Sequence, residues 1–224
     1  MTHPIDRIIY IDNHLIAVTK PAGLLTQPDR NTDESLIDQT RQLIKEKYNK
    51  PNNIFLGLVH RLDRNVSGVV LFARTSKAAS RLSKQFREGT PKKHYRAIVL
   101  GKLKKENTTL VHYLRKEKSL RATVFPRETP AAKRSELSYE VINSLEKKSL
   151  LEVSLSTGRF HQIRAQMAFI GHPIIGDVKY GAPEPLPNQE IALYAHKLVF
   201  SHPVSNEEIT LTAPEPKTWE QFKL

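Results

Sequence analysis

The chain has 224 residues, 39% of them hydrophobic, enough to bury a substantial core and exclude disorder as its main state. It contains no cysteine, which removes disulfides, thiolate zinc sites, iron–sulfur clusters and thiol catalysis together. Lys and Arg number 35 against 23 Asp and Glu, a net charge of +12, and such an excess points to a polyanionic partner.

In chain order, Ile8–Tyr10 and Ile16–Thr19 read as short strands joined by an Asp-Asn-His turn, and Pro21-Ala22-Gly23 then breaks the chain. Residues 35–47 place Leu36, Ile37, Leu43 and Ile44 at helical spacing. Val69–Ala73 is a compact apolar strand. Ser76 is positioned to cap a helix running to Glu88, with Ala78, Ala79, Leu82 and Phe86 on one face. Strands follow at Lys93–Leu100, Leu137–Ile142 and Leu150–Leu155. His161–Ile170 reads as a helix closed by Gly171 and Pro173. After a proline-rich loop at 183–187, Lys197–Phe200 and Glu208–Leu211 suggest a hairpin around Pro203–Asn206. No repeat or dividing linker is visible, so the expectation is one α+β domain over residues 1–224, with a mixed, mostly antiparallel central sheet flanked by helices and loops. A monomer is the default.

The N-terminus lacks the basic stub and apolar stretch of a signal peptide. No window approaches about 18 uninterrupted apolar residues. The expectation is a cytoplasmic protein with no membrane partner.

The charge is concentrated. Residues 92–134 hold 13 Lys or Arg and 3 acids, leaving +10 in 43 residues. A solvated surface hairpin would explain that run. The neighbouring aromatics Tyr95, Tyr113 and Phe125, with Thr/Val-rich strand patterning, favour a nucleic-acid-facing segment instead.

Three segments could carry chemistry. In His60-Arg-Leu-Asp63-Arg-Asn-Val-Ser-Gly68, Asp63 is flanked by Arg61 and Arg64 and should stay ionised, as a nucleophile, a base or a turn residue in surface ion pairs. In Thr157-Gly-Arg-Phe-His-Gln-Ile-Arg164, His161 and Arg164 lie three apart beside a buried stripe of Ile163, Met167 and Ile170. That turn could bind phosphate, with Arg164 also able to hold a catalytic carboxylate, or form a basic patch with its His satisfied by the backbone. In Lys92-Lys-His-Tyr-Arg-Ala97, Tyr95 points opposite to His94 and Arg96, and can either stack beneath a base or pack half-buried. The nine histidines show no ligand-pair spacing, so no metal site is expected.

Taken in order, His60-Arg-Leu-Asp63 with Ser67-Gly68, Tyr95-Arg-Ala97 and Gly158-Arg-Phe-His-Gln-Ile-Arg164 resemble the RluA family of RNA pseudouridine synthases. So do Gly171-His-Pro-Ile-Ile-Gly-Asp177, Tyr180-Gly181, Ala195-His196 with Leu198 and Phe200, and His202-Pro203. The stretch Asn13–Leu24 is similar to the family's opening strand and turn, so the match runs from about residue 8 to 213. Val66 and Phe160 depart from it, standing where Thr is common. The resemblance starts near residue 8, so the expectation is a catalytic domain without the small accessory RNA-binding domain many relatives carry.

The resemblance implies the pseudouridine synthase fold and an isomerase that exchanges the C1′–N1 bond of a uridine for C1′–C5 without a cofactor. The partner would be structured rRNA or tRNA, not DNA. Asp63 matches the family's catalytic aspartate, Arg164 would pair with it, and Tyr95 would lie against the uracil and could remove the C5 proton. Arg61 would fill the gap left by the flipped base, and Leu198 would pack on the base's other side. His60, Lys92, Lys93, Arg159, His161 and Gln162 complete the expected substrate contacts. A silent RNA-binding module would not need Asp63, Tyr95 and Arg164 together, and a metal-dependent nuclease would want two or more clustered carboxylates.

Overall fold

The computed structural model describes residues 7–29, 34–49 and 53–224. In chain order its strands are β1 (Ile8–Ile11), β2 (Leu15–Lys20), β3 (Gly57–Leu58), β4 (Ser67–Ala73), β5 (Lys92–Leu100), β6 (Asn107–Lys116), β7 (Ala122–Phe125), β8 (Lys133–Leu145), β9 (Lys148–Leu155), β10 (Leu193–Ser201) and β11 (Glu208–Thr212). The helices are α1 (Leu36–Tyr48), α2 (Ser76–Glu88) and α3 (Gln162–Phe169). The chain divides into two compact units, Met1–Pro91 with Ala195–Pro214, and Lys92–Tyr194 with Glu215–Leu224. The expected α+β class with mostly antiparallel strands is what the two units build.

In the first unit β2 pairs antiparallel with both β1 and β4, and β10 with β11. The turn before β2 is made by Asp12, whose Oδ1 accepts the N–H groups of His14 and Leu15 at 2.7 Å each. Every residue of β4 is buried, as its unbroken Val-Val-Leu-Phe-Ala run requires. One face of β2 and β4 (Leu15, Ala17, Val69, Leu71, Ala73) meets Ala78 and Leu82 of α2 and Leu198, Phe200 and Leu211 of the β10–β11 pair. Ala79 and Phe86 of α2 pack at the margin of that cluster. The helix cap is Thr75, not Ser76. Thr75 has extended backbone and its hydroxyl accepts the Ala78 N–H at 3.2 Å, the reach an N-cap needs to satisfy the third helical donor.

The second unit orders its strands β5-β9-β8-β6-β7, all antiparallel. The basic segment is thus mostly strand: β6 and β7 form a hairpin and β8 returns alongside β6. On one side of the hairpin Leu114 and Ala122 join Ala165 of α3 and Tyr180 in a small core, with Val124, Phe160 and Ala168 at its edge. The opposite side presents Arg115 over the Phe125 ring at 4.9 Å. The α3 helix is shorter than the expected 161–170 because His161 sits before it with a left-handed φ of 52°. It is also more buried than an amphipathic surface helix: Gln162, Arg164 and Gln166 lie inside with Ile163 and Met167.

Candidate active site

Asp63 lies in the loop between β3 and β4, partly exposed between buried Leu62 and exposed Arg64. That loop is bolted to the 21–26 segment. Thr26 Oγ1 donates to the Leu62 carbonyl at 3.1 Å and accepts the Leu62 N–H at 3.2 Å. Gly23 N–H donates to the Arg64 carbonyl at 2.8 Å, and Arg64 Nε returns a bond to the Gly23 carbonyl at 2.9 Å. Beneath them is Lys20, fully buried. Its ammonium donates to the carbonyls of Pro21 (2.9 Å), Leu24 (2.7 Å) and Arg64 (3.0 Å), using all three of its N–H bonds. Burial pushes Lys20 down to about 7, while the nearby Asp63 carboxylate pulls the other way and favours the charged form. One buried cation therefore holds both chain segments that frame Asp63.

The second residue of the strand after this loop is Gly68, where φ is +118°. A Cβ there would stand 2.3 Å from the Ala195 carbonyl oxygen, so only glycine permits β10 to approach so closely. Arg61 is exposed, as a side chain must be to enter a nucleic acid. His60 is used within the fold: its Nε2 accepts the Leu71 N–H at 2.9 Å, and its ring stacks on Phe86 at 4.8 Å. Leu198, expected against the base, is 4% exposed in the first unit's core. Its strand position points it into the layer shared with Leu71 and Leu211, and packing accounts for it.

In the second unit the β5 alternation is as expected. His94 Nδ1 meets Ser154 Oγ at 2.9 Å and Arg96 Nε meets Glu152 at 3.3 Å, both across to β9. Tyr95 takes the other face, together with Lys93. The Lys93 ammonium approaches the 158–159 turn, 3.5 Å from the position a Gly158 Cβ would take. Burial pushes its pKa down, and the neighbouring Arg159 cation adds to the fall. Lys93 and Arg159 thus form a pair of mutually repelling cations, the arrangement an anion relieves. Lys92 and Arg159 are exposed, with Arg159 Nε anchored on the Arg134 carbonyl at 3.0 Å.

Gln162 is spent inside the protein. Its Oε1 accepts from Thr157 Oγ1 (2.8 Å) and the Arg159 N–H (2.9 Å), and its Nε2 donates to the Glu136 carbonyl (3.0 Å). It shapes the 157–159 turn, and its polar groups are consumed in doing so. Arg164 is gripped side-on by Asp177, through its Nε and Nη2. Tyr180 lies beside it: the Arg164 and Arg121 guanidinium carbons are 5.1 and 5.2 Å from its ring centre. The Tyr180 hydroxyl accepts the Ala122 N–H at 2.7 Å and shares a hydrogen bond with His161 Nδ1 at 2.9 Å. Burial first, then the Arg164 charge, push the His161 imidazole down to about 3, so it stays neutral. Phe160, one of the two departures from the family pattern, stacks on His161 at 3.8 Å with the Lys116 ammonium 4.6 Å from its centre. Val66, the other, is buried.

Lys20, Asp177 and Tyr180 were not expected as site residues. Each had a signal: a lysine closing an apolar strand before Pro21, and an Asp and a Tyr in otherwise apolar or glycine-rich surroundings. Among the described residues no cluster of His, Asp or Glu could hold a metal ion, and no helix is long and apolar enough to cross a membrane.

A family model described as RNA pseudouridylate synthase matches residues 14–169, a span that contains Asp63, Tyr95 and Arg164. The chain belongs to this family. This pseudouridylate synthase is 35% identical over 218 residues to the dual-specificity RNA pseudouridine synthase RluA of Pasteurella multocida, covering 95% of the present chain and 94% of that one. It is 36% identical over 210 residues to the protein of the same name from Haemophilus influenzae, covering 92% and 91%. The solved structure of human RNA pseudouridylate synthase domain containing 4 superposes with a TM-score of 0.81 over 96% of this chain and 91% of that one, at 22% identity. That likeness establishes the pseudouridine synthase fold. The RluA resemblance of the motifs stands, and with it the enzyme class: an isomerase acting on RNA.

Proposed function

We propose that this pseudouridine synthase acts on a uridine in structured rRNA or tRNA, with the target base swung out of its stack and Asp63 as the catalytic carboxylate. The C1′–N1 bond breaks, the uracil turns, and C5 bonds to C1′. The C5 proton leaves and N1 ends protonated, so atoms and electrons balance without a donor. Arg164 keeps the Asp63 carboxylate ionised and aimed. Tyr95 lies against the uracil and serves as the base for the C5 proton. Extrusion costs a few kcal/mol, and Arg61 offsets part of it by filling the vacated stack.

The observation that carries the reading is the clamped loop. A fully buried ammonium and Thr26 immobilise the backbone on both sides of Asp63, which is what a reacting group needs and a surface turn does not. The Lys93–Arg159 cation pair on Tyr95's side of β5 supports phosphate binding, as do the exposed cations of residues 92–134, and affinity should fall steeply with salt. Other relatives are named as a ribosomal large subunit pseudouridine synthase and as a tRNA pseudouridine synthase, which is the reason for keeping rRNA and tRNA together.

The test is chemical mapping of pseudouridine in refolded total RNA treated with purified wild-type protein or Asp63→Asn. The wild type is expected to modify discrete positions. The variant is expected to bind equally and modify none, and comparable turnover by Asp63→Asn would refute the assignment.

A further inference from the structure

Leu120 stands at the tip of the β6–β7 hairpin. The Glu117 N–H donates to the Arg121 carbonyl at 2.8 Å and the Leu120 N–H to the Glu117 carbonyl at 3.1 Å, leaving Lys118, Ser119 and Leu120 as a three-residue loop. In hairpins of this length the last loop position adopts left-handed backbone, and glycine is the residue that does so without strain. Leu120 has φ +54° and is 56% exposed. The fold gains nothing from this choice: the backbone is strained by the Cβ, and an apolar side chain is held in water.

The surroundings say what the side chain could meet. Lys116, Lys118 and Arg121 around it are all exposed, so the tip is an apolar point set among cations. A partner that offers both phosphate and an apolar face fits this pattern, and an unstacked base in folded RNA is such a partner. Nucleic-acid binders insert leucines of this kind between bases to hold a distorted helix. The start of β7, next to the tip, is tied to the Arg164–Asp177 pair of the same unit, because Ala122 bonds the Tyr180 hydroxyl and Arg121 shares the Tyr180 ring with Arg164.

We propose that Leu120 is an RNA-contacting wedge, packing against bases displaced from the helix near the target uridine while Lys118 and Arg121 meet the flanking phosphates. The proposal rests on the RNA-directed function above and adds to it a named contact outside the reacting groups. Leu120→Gly tests it, because glycine relieves the backbone strain and alters no charge. Filter retention of refolded total RNA and pseudouridine formation at limiting RNA are measured together with melting temperature. The variant is expected to melt no lower than wild type, to bind RNA about tenfold more weakly and to modify it correspondingly more slowly, while Leu120→Met keeps wild-type affinity. Wild-type affinity and rate in Leu120→Gly would overturn the proposal. So would loss of binding to phosphatidylserine vesicles with RNA affinity intact, which would assign the tip to a membrane surface. If the wild type formed no pseudouridine and Leu120→Gly still lost RNA affinity, the wedge would stand and the catalytic assignment would be what failed.

Discussion

Asp177 holds Arg164 through two parallel bonds, Nε to Oδ2 at 2.7 Å and Nη2 to Oδ1 at 2.8 Å, with side chains only 1% and 5% exposed. Such a buried pair owes its effect to mutual compensation: either ion alone is costly. Asp177→Asn should therefore destabilise the protein by about 3–5 kcal/mol, readable as a lower urea midpoint at unchanged slope. A loss below about 1 kcal/mol would mean that the guanidinium is compensated elsewhere.

Lys20→Met keeps the bulk of the side chain and removes the donor for three carbonyls. A buried acceptor left unsatisfied costs about 1–3 kcal/mol. The Arg64 carbonyl keeps the Gly23 N–H, so with the Pro21 and Leu24 carbonyls losing their ammonium donor a total of about 2–6 kcal/mol is expected. Because the Arg64 carbonyl is one of the three, the Asp63 loop should loosen as well. Turnover at saturating RNA is expected to fall by more than RNA affinity does. A variant with lower stability and wild-type kcat would make Lys20 a fold residue only.

Gly68→Ala introduces a Cβ at φ +118°, within 2.3 Å of a backbone oxygen that has no freedom to rotate away. Both the conformation and the space forbid it. The expected outcome is a loss of at least about 3 kcal/mol or insoluble expression. A soluble variant with the wild-type melting temperature would contradict the close approach of Ala195.

His161 gives a pH dependence with a defined sign. Its folded pKa is pushed down to about 3, whereas the unfolded chain titrates near 6.5. Between those values the unfolded state binds the extra proton. The stabilisation is therefore complete above about pH 6.5 and is lost as the pH falls through the window toward 3. His161→Asn offers both a donor and an acceptor to the Tyr180 hydroxyl, tolerates the left-handed φ and does not titrate. It should flatten the decline in melting temperature between pH 7 and pH 4.5. An unaltered decline would show that other groups carry it.

Much of this was legible along the chain. The Val69–Ala73 run, the alternation that turns Tyr95 away from His94 and Arg96, and the spacing of Ala78, Leu82 and Phe86 are local patterns, and the strands and helices follow them closely. The cap of α2 was misplaced by one residue, because Thr75 and Ser76 are both good caps and only backbone geometry separates them. The β6–β7 hairpin carried a weak strand signal because one of its faces is solvated and charged.

The site was legible as motifs but not as roles. His60, Gln162 and Leu198 sit in the right segments, yet the fold uses them for backbone acceptance, turn shaping and core packing. A motif records which residue types occur together and not which polar groups are consumed inside the protein. The reverse holds for Lys20, Asp177 and Tyr180, whose partners lie as far as 44, 13 and 58 residues away along the chain.

Composition, periodicity and turn chemistry depend on a residue and its near neighbours, so the sequence by itself determined the class of fold, the basic character and the segments that matter. Which buried cation steadies the Asp63 loop, and which carboxylate holds Arg164, was decided only by tertiary structure. Those pairings form when distant backbone and side chains are brought out of water together, and no local pattern encodes that event.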